Sequence, residues 1–203
     1  MPVTSPPPAP LPSGTSPNVA KEPGYTEACL EAPAEEFVDV VDELDRVLKC
    51  VARSTLVDGV DRWRVVAVVW FDALGNRVLL AQRSAAKRHD PLAWAACVAG
   101  TVATGESYVS ALGREVLEEL GVPKAEYDAS LVYVGPFDSP GQLRNLAVFV
   151  VHKDVDPDTL DWDHSEAEQV AWWDLDTLKT ACTTDLHRFT PGLLRLLNMA
   201  VES

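Results

Sequence analysis

The chain has 203 residues, of which 47% are hydrophobic, and its formal net charge is -14 at pH 7. These values suit one globular domain with a sizeable core, plus a tail. The negative charge argues against a general nucleic-acid-binding protein, because phosphate backbones are bound by clustered Lys and Arg side chains. The same charge repels anions, so an anionic substrate would need metal ions and a local basic patch at its site.

Residues 1–34 differ in composition from the rest of the chain. They are rich in Pro, Ser and Ala and contain few large apolar residues. Such a segment cannot bury enough surface to offset the entropy of ordering, so we predict a disordered Pro-rich extension over 1–34 and one folded domain over 35–203. The segment lacks the basic start and continuous apolar core of a secretory signal, and no stretch of the chain reaches membrane-spanning length. We therefore expect a cytoplasmic protein that does not bind membranes.

The four cysteines do not form a recognisable metal-binding or disulfide pattern. They are Cys29, Cys50, Cys97 and Cys182, and no pair has C-x-x-C spacing. This distribution argues against a zinc site and against a disulfide framework. We expect reduced, structural cysteines.

The first half of the predicted domain is dominated by strands. Phe37–Val41 and Val47–Val51 predict a hairpin, and Arg64–Phe71 and Val78–Ala81 are apolar runs separated by Gly75-Asn76. The sequence QRSAAKRH at 82–89 follows, ahead of the turn signal Asp90-Pro91. We predict a basic loop at 82–89.

The segment 100–122, GTVATGESYVSALGREVLEELGV, places one Arg and four Glu residues between two glycines. The composition of 107–120 predicts a helix, which Gly121 and Pro123 would end. At about 100° per residue, Glu115, Glu118 and Glu119 share one helix face, where their like charges repel one another. A bound cation would relieve this repulsion, although a charge run of this kind is usually only a solvated helix face.

The residue types at this face favour a hard divalent cation. Several carboxylates without Cys or His suit Mg²⁺ or Mn²⁺ rather than zinc. Such an ion shares itself with substrate phosphates and lowers the pKa of a bound water. The predicted chemistry is therefore hydrolysis of a phosphoanhydride by metal-activated water.

The rest of the chain is predicted to alternate strands and helices. Leu131–Gly135 and Leu146–His152 are strand-like around the turn-rich stretch Phe137–Gly141. A further strand is predicted at Gln169–Trp173, and helices are predicted at Leu175–Cys182 and Pro191–Val201.

The glycine, arginine and glutamate spacing of 100–122 resembles the Nudix box of Nudix hydrolases. The pattern is G-x5-E-x7-R-E-U-x-E-E-x-G-U, where U is a bulky aliphatic residue, and every fixed position is filled. The resemblance implies an α/β fold, an α/β/α sandwich with a mixed β-sheet. It also implies cleavage of nucleoside diphosphates linked to another group. We prefer a nucleoside di- or triphosphate as the substrate, and the family contains many dimers, so a homodimer is one expectation.

The resemblance implies roles for individual residues. Glu115, Glu118 and Glu119 would hold the metal, with the Gly100 carbonyl as a further ligand. Two residues would support them: Glu106, and Arg114, which can orient a carboxylate by a two-pronged hydrogen bond. The general base would be Glu118 or Glu115, with Arg114 among the catalytic residues. An extra ligand often comes from outside the box, for which Glu166 and Glu168 are the candidates.

Substrate-binding residues are implied by a narrower resemblance. Arg83 and Lys87 are spaced as in the isopentenyl-diphosphate isomerase branch of Nudix proteins, where an Arg-x3-Lys pair grips a diphosphate; the alternative is an ordinary basic surface loop. Phe137 lies in a loop bounded by Pro and Gly, and we select it as the candidate for stacking a nucleobase.

Two other functions compete with hydrolysis. Isopentenyl-diphosphate isomerisation needs proton donors and acceptors. In those isomerases the first glycine of the box lies between Cys and His, whereas Ala99 and Thr101 flank Gly100 here. The second competitor is a catalytically silent nucleotide-binding module, which the intact set of carboxylates disfavours.

Overall fold

The structure is a computed structural model that describes residues 35–201, so the predicted extension lies outside the described residues. Within that range the strands are β1 (Phe37–Val41), β2 (Val47–Ala52), β3 (Arg62–Phe71), β4 (Arg77–Arg83), β5 (Trp94–Ala96), β6 (Val98–Thr101), β7 (Ser130–Pro136), β8 (Leu143–His152) and β9 (Ala167–Asp174). The α-helices are α1 (Tyr108–Leu120), α2 (Leu175–Thr184) and α3 (Leu193–Val201).

Strand β3 is the centre of the sheet. It pairs in parallel with β8 along its whole length, from Arg62 opposite Leu143 to Phe71 opposite His152. Along its other side it pairs antiparallel with β1, β6 and β4 in turn. The remaining pairs, β1 with β2, β4 with β5 and β9, and β7 with β8, are antiparallel. The prediction of a mixed sheet is confirmed.

The sheet is covered on both faces because alternate residues of β3 point to opposite sides. Val66, Val68 and Trp70 belong to a core shared with Leu112 and Val116 of α1. Ala67, Val69 and Phe71 belong to a second core, completed by Leu178 of α2 and by Leu193 and Leu197 of α3. The molecule is therefore an α/β/α sandwich, as the sequence predicted.

Strands β5 and β6 and part of β4 were not predicted. Strand β4 continues through Gln82 to Arg83, because Gln82 lies opposite Gln169 of β9 and Trp94 of β5. The basic loop, predicted over 82–89, therefore begins only at Ser84, after β4 ends at Arg83. Strands β5 and β6 are three and four residues long, and their alanines and glycine give little strand signal.

The structure also bears on the predictions about the cysteines and about membrane-spanning segments. Cys97 and Cys182 are buried free thiols, whereas Cys50 is disulfide-bonded, so the expectation of reduced cysteines is wrong for Cys50. In residues 35–201 every helix is too short or too polar to cross a membrane.

Candidate active site

Helix α1 is fixed at both ends by its own sequence. The Ser107 side chain accepts a hydrogen bond from the Ser110 amide at 3.1 Å, which caps the first turn. Gly121 ends the helix with φ of 68° in the left-handed region. A Cβ atom at Gly121 would also lie 2.8 Å from the Asp161 Cβ. The predicted helix end at Gly121 is confirmed. The two caps fix the position of the glutamate face, the side of α1 that carries Glu115, Glu118 and Glu119, relative to the sheet.

Arg114 connects three of the four box glutamates. Its Nε and Nη2 donate to the two carboxylate oxygens of Glu106 at 3.1 and 3.0 Å. Its Nη1 donates to Glu115 at 2.8 Å and to Glu118 at 3.1 Å, and its Nη2 donates to the Thr101 carbonyl at 3.0 Å. Hydrogen bonding with Glu106, followed by the charge of Glu115, raises the pKa of Arg114 above its usual range. The guanidinium therefore fixes the carboxylates relative to strand β6.

Glu115 is buried against the backbone of Gly100. Only 8% of the residue is exposed, and a Cβ atom built on Gly100 would lie 1.8 Å from the Glu115 carboxyl carbon. Burial raises the pKa of Glu115, while the charge and hydrogen bond of Arg114 oppose that shift. Glycine is needed at position 100 because any side chain would occupy the space of the carboxylate.

Glu119 carries a carboxylate whose pKa is strongly raised. Burial, followed by the negative charges of Glu115 and Glu166, raises its pKa to about 8. Its Oε2 accepts a hydrogen bond of 3.3 Å from the Ala99 amide. A carboxylate in this position favours protonation unless a cation approaches.

A small pocket of about 50 Å³ lies beside Glu119. Its polar lining comes from Glu119, Glu166 and Arg83, and its walls include the small side chains of Ala81, Ala95, Ala96, Ala99 and Ala167. The Lys87 ammonium contacts the Glu166 carboxylate. The structure thus brings the box residue Glu119 together with predicted residues from two other parts of the chain, Arg83 and Lys87 in one and Glu166 in the other.

Arg83, Glu168 and Phe137 are held in different ways. The Arg83 Nε donates to the His89 carbonyl at 3.1 Å, and Glu168 accepts from the Ala85 amide at 2.9 Å, so both side chains shape the basic loop. Phe137 is partly buried and packs against the core under α2 and α3, with the Arg195 guanidinium carbon 4.1 Å from its ring centroid. A role for Phe137 in base stacking stays a prediction.

The donor set fits a hard divalent cation, although it is not arranged around one. No group of three or more His, Cys, Asp or Glu side chains in residues 35–201 is placed to hold a metal ion. Two of the box carboxylates, Glu115 and Glu118, are turned toward Arg114 instead. Glu115 and Glu119 nevertheless lie buried enough for their pKa values to rise, which is the condition a bound cation would relieve.

Several residues that shape the site had no sequence signal. The Thr101 carbonyl anchors Arg114 through its backbone, which any residue type provides. Arg53, just after β2, is near enough for its charge to lower the pKa of Glu115. A local sequence pattern contains no information on such an electrostatic interaction between distant segments.

Comparison with known proteins agrees with the geometry. The NUDIX domain family model matches residues 61–193. The isopentenyl-diphosphate Delta-isomerase of Nocardia farcinica is 31% identical over 80% of this chain and 93% of its own length. The prenyl-diphosphate phosphatase of Methanosarcina mazei is 28% identical over 77% of this chain and 90% of its own length. The crystal structure of DR0079 from Deinococcus radiodurans superposes with a TM-score of 0.68 at 24% identity, covering 81% of this chain and 99% of that one.

The fold and the site define an enzyme of the Nudix class. The chain belongs to the Nudix hydrolase family. The predicted family, fold and enzyme class are confirmed at that level.

Proposed function

We propose that the protein is a Mg²⁺- or Mn²⁺-dependent hydrolase that cleaves a phosphoanhydride bond in a nucleoside di- or triphosphate or a related nucleoside diphosphate compound. The observation that carries the proposal is the organised glutamate face. Arg114 holds Glu106, Glu115 and Glu118 in one network, and Glu115 lies against a glycine that leaves room for it.

The box glutamates would hold the ion and one of them would accept a proton. Glu115, Glu118 and Glu119, with the Gly100 carbonyl, would supply hard oxygen ligands. A bound divalent ion would neutralise phosphate charge and make a water more acidic. The side chain of Glu118 is 56% exposed, against 10% for Glu115, so Glu118 is better placed to receive a proton from solvent-side water.

The basic segment 82–89, which contains Arg83 and Lys87, would bind the phosphates of the substrate. Arg83 lines the same pocket as Glu119, and Lys87 reaches that pocket by its contact with Glu166. Positive charge is needed there because the formal net charge of the chain is -14. Lys87 would separate from Glu166 when a substrate binds, because a phosphate would compete for the Lys87 ammonium and a metal ion would compete for the Glu166 carboxylate.

A second candidate substrate class is a prenyl diphosphate. One relative is named a prenyl-diphosphate phosphatase and another an isopentenyl-diphosphate isomerase. Isomerisation is disfavoured because Ala99 and Thr101 carry no thiol or imidazole beside Gly100. Hydrolysis of a prenyl diphosphate needs only the glutamate face and the basic segment, and it is therefore the stronger alternative.

The test is phosphate or pyrophosphate release from a panel of nucleotide and prenyl diphosphates with Mg²⁺ or Mn²⁺. Glu118→Gln is the test variant, and Glu126→Gln is the control, because Glu126 has a similar side-chain exposure of 58% and contacts Lys153 away from the box. We expect metal-dependent hydrolysis that falls by about a hundredfold or more in Glu118→Gln and is unchanged in the control.

The panel also separates the alternatives. Turnover of prenyl diphosphates alone would replace the nucleotide substrate with a prenyl one. Metal binding without turnover of any panel member would favour the silent binding module, after an isomerase assay has also proved negative.

A further inference from the structure

The hairpin of β1 and β2 contacts the box loop, residues 102–107, which connects β6 to α1. The Thr104 amide donates a hydrogen bond of 2.9 Å to the Phe37 carbonyl. Beside it, Val38 and Ala103 form an isolated antiparallel β-bridge. The backbone of β1 therefore fixes the first half of the box loop.

A buried carboxylate of β1 holds the side chain of Thr104. Asp39 is 3% exposed, and its Oδ1 accepts a hydrogen bond of 3.0 Å from the Thr104 hydroxyl. The same hydroxyl lies 3.3 Å from the sulfur of Cys50, which is disulfide-bonded and has no hydrogen to donate. Hydrogen bonds to a charged acceptor are about twice as strong as those between neutral groups. Thr104 is thus fixed by its side chain as well as by its backbone.

A second carboxylate of the hairpin holds the chain just after the box loop. Asp45, between β1 and β2, accepts a hydrogen bond of 3.1 Å from the hydroxyl of Tyr108, the first residue of α1. The same oxygen accepts from Nε of Arg64 at 2.8 Å and from Nδ2 of Asn145 at 3.1 Å. Nη1 of Arg64 also lies 3.5 Å from Oδ2 of Asp39. One arginine of β3 therefore joins the two carboxylates that hold the box loop.

Glu106 connects the box loop to the glutamate face. Its Oε2 accepts a hydrogen bond of 3.0 Å from the Ala103 amide. Its two oxygens also accept from Nε and Nη2 of Arg114 at 3.1 and 3.0 Å. Arg114 in turn donates to Glu115 and Glu118. A connected series of contacts thus leads from the hairpin, through the box loop, to the glutamates of α1.

The middle of the box loop has little packing of its own. Gly105, which precedes Glu106, is exposed, and a Cβ atom there would meet nothing within 4 Å. Segments with few buried contacts have low local stability. The position of the Glu106 carboxylate therefore depends on the contacts that hold the two ends of the loop.

We propose that Asp39, acting through Thr104, is a positioning residue for the box glutamates. It fixes the box loop so that Glu106 orients Arg114, and Arg114 orients Glu115 and Glu118. The consequence for metal binding rests on the proposed function, whereas the contacts themselves do not depend on a substrate. The hairpin is then part of the scaffold of the site and not only an edge of the sheet.

The first test is the Kd for Mn²⁺, measured by isothermal titration calorimetry on the full chain at a temperature at which every variant is folded. Thr104→Val removes the hydroxyl, and Thr104→Ser keeps it. Thr55→Val is the matched control, because the Thr55 hydroxyl donates to the Ala52 carbonyl at 2.7 Å, just after β2. We expect the Kd to rise about tenfold in Thr104→Val, as for other groups that orient metal ligands indirectly. The other two variants should keep the wild-type Kd.

A double-mutant cycle distinguishes positioning from a general loss of stability. Thr104→Val is combined with Arg114→Lys. If Thr104 acts through Arg114, Thr104→Val should raise the Kd much less in the Arg114→Lys background than in the wild type. Independent effects on the Kd, or an equal rise in Thr55→Val and Thr104→Val, would overturn the proposal.

A third measurement needs neither metal nor substrate. The Nε–H resonance of Arg114 reports its bond to Glu106 and is assigned by its loss in Arg114→Lys. We expect this resonance to shift in Thr104→Val and not in Thr55→Val. Tyr108→Phe, which removes only the hydroxyl bound to Asp45, should also shift it and serves if Thr104→Val does not fold. An unchanged resonance in the folded variants would refute the positioning role.

The outcome is separable from that of the proposed hydrolase function. A shifted Arg114 resonance in a protein that binds no Mn²⁺ and hydrolyses no phosphoanhydride would keep the positioning role and remove the hydrolase assignment. Metal-dependent hydrolysis with an unchanged resonance in Thr104→Val would do the reverse.

Discussion

The carboxylate of Glu115 occupies the space where a side chain at residue 100 would begin. The Cβ atom of an alanine at Gly100 would lie 1.8 Å from the Glu115 carboxyl carbon and 2.0 Å from its Oε1. The contact joins the strand that opens the box to the helix that carries the glutamates. A glycine is needed at position 100 because of this crowding, since its backbone φ is not in the left-handed region that favours glycine.

Gly100→Ala should therefore impair activity more than stability. The added methyl group must displace Glu115, and an error of about 1 Å in a catalytic group costs about a hundredfold in rate. We expect a loss of about that size in metal-dependent turnover, together with weaker Mn²⁺ binding measured by electron paramagnetic resonance.

Gly113→Ala is the control for that substitution. Gly113 lies in the interior of α1, where a Cβ atom would meet the Lys124 Cβ at an ordinary 3.9 Å. We expect unchanged turnover and a gain in unfolding free energy of about 0.5–1 kcal/mol, because alanine favours helix over glycine. Equal activities of the two variants would show that Glu115 does not need its observed position.

Arg114→Lys should weaken metal binding while keeping the positive charge. A lysine cannot make the paired bonds that Arg114 makes to the two oxygens of Glu106 while also reaching Glu115. Loss of such supporting bonds typically lowers metal affinity by about 10–100-fold. Calorimetric titration with Mn²⁺ measures the effect, and wild-type affinity in Arg114→Lys would mean that charge alone suffices.

Gly121→Ala should destabilise the fold more than Gly141→Ala. Both glycines have positive φ values, 68° and 76°, so both substitutions incur about 1–2 kcal/mol of backbone strain. Only at Gly121 would the new Cβ atom also meet Asp161, 2.9 Å from its carbonyl oxygen, whereas Gly141 faces open space. Urea unfolding should show the larger loss for Gly121→Ala, and equal losses would mean that Asp161 moves aside freely.

The ion pair of Asp138 with Arg62 should make stability depend on pH in the acid range. The hydrogen bond from Arg62 is the main cause that holds the pKa of Asp138 below its ordinary 3.8. The folded chain therefore binds fewer protons at this carboxyl, and the stabilisation is complete above about pH 4 and is lost as the pH falls through the folded pKa.

Unfolding by urea between pH 2.5 and 6 measures this contribution. Asp138→Asn should flatten the dependence of unfolding free energy on pH below about pH 4. Arg62→Gln should flatten it to a similar degree, and the double variant should add little. A slope in Asp138→Asn as steep as that of the wild type would assign the acid sensitivity to other carboxyls.

Local sequence patterns were sufficient to predict the helices and strands that have strong composition and end signals. Helix α1 was predicted over 107–120 and is observed over Tyr108–Leu120, because its composition and Gly121 mark it. The β1 and β2 hairpin was found for the same reason. Strands β5 and β6 were missed because they are short and rich in small residues, and their extended form depends on pairing with β4 and β3.

The shared helix face of the box glutamates was predictable from the sequence, but the contacts around them were not. The box spacing indicated which glutamates lie on one helix face, and the structure places Arg114 among them. The contact of Lys87 with Glu166 joins residues 79 positions apart. The hydrogen bond of Thr104 to Asp39 joins residues 65 positions apart. Such contacts arise from the register of the sheet, which no local pattern encodes.

The alternation of side chains along β3 has a consequence for how the enzyme can change. Val66, Val68 and Trp70 pack under the glutamate helix, and Ala67, Val69 and Phe71 pack under α2 and α3. Odd-numbered positions of this strand can therefore vary without repacking the helix that carries the box, and even-numbered positions can vary without disturbing the opposite layer. Insertion of a single residue into β3 would exchange the two sets, so this strand can accept substitutions but not a change of length.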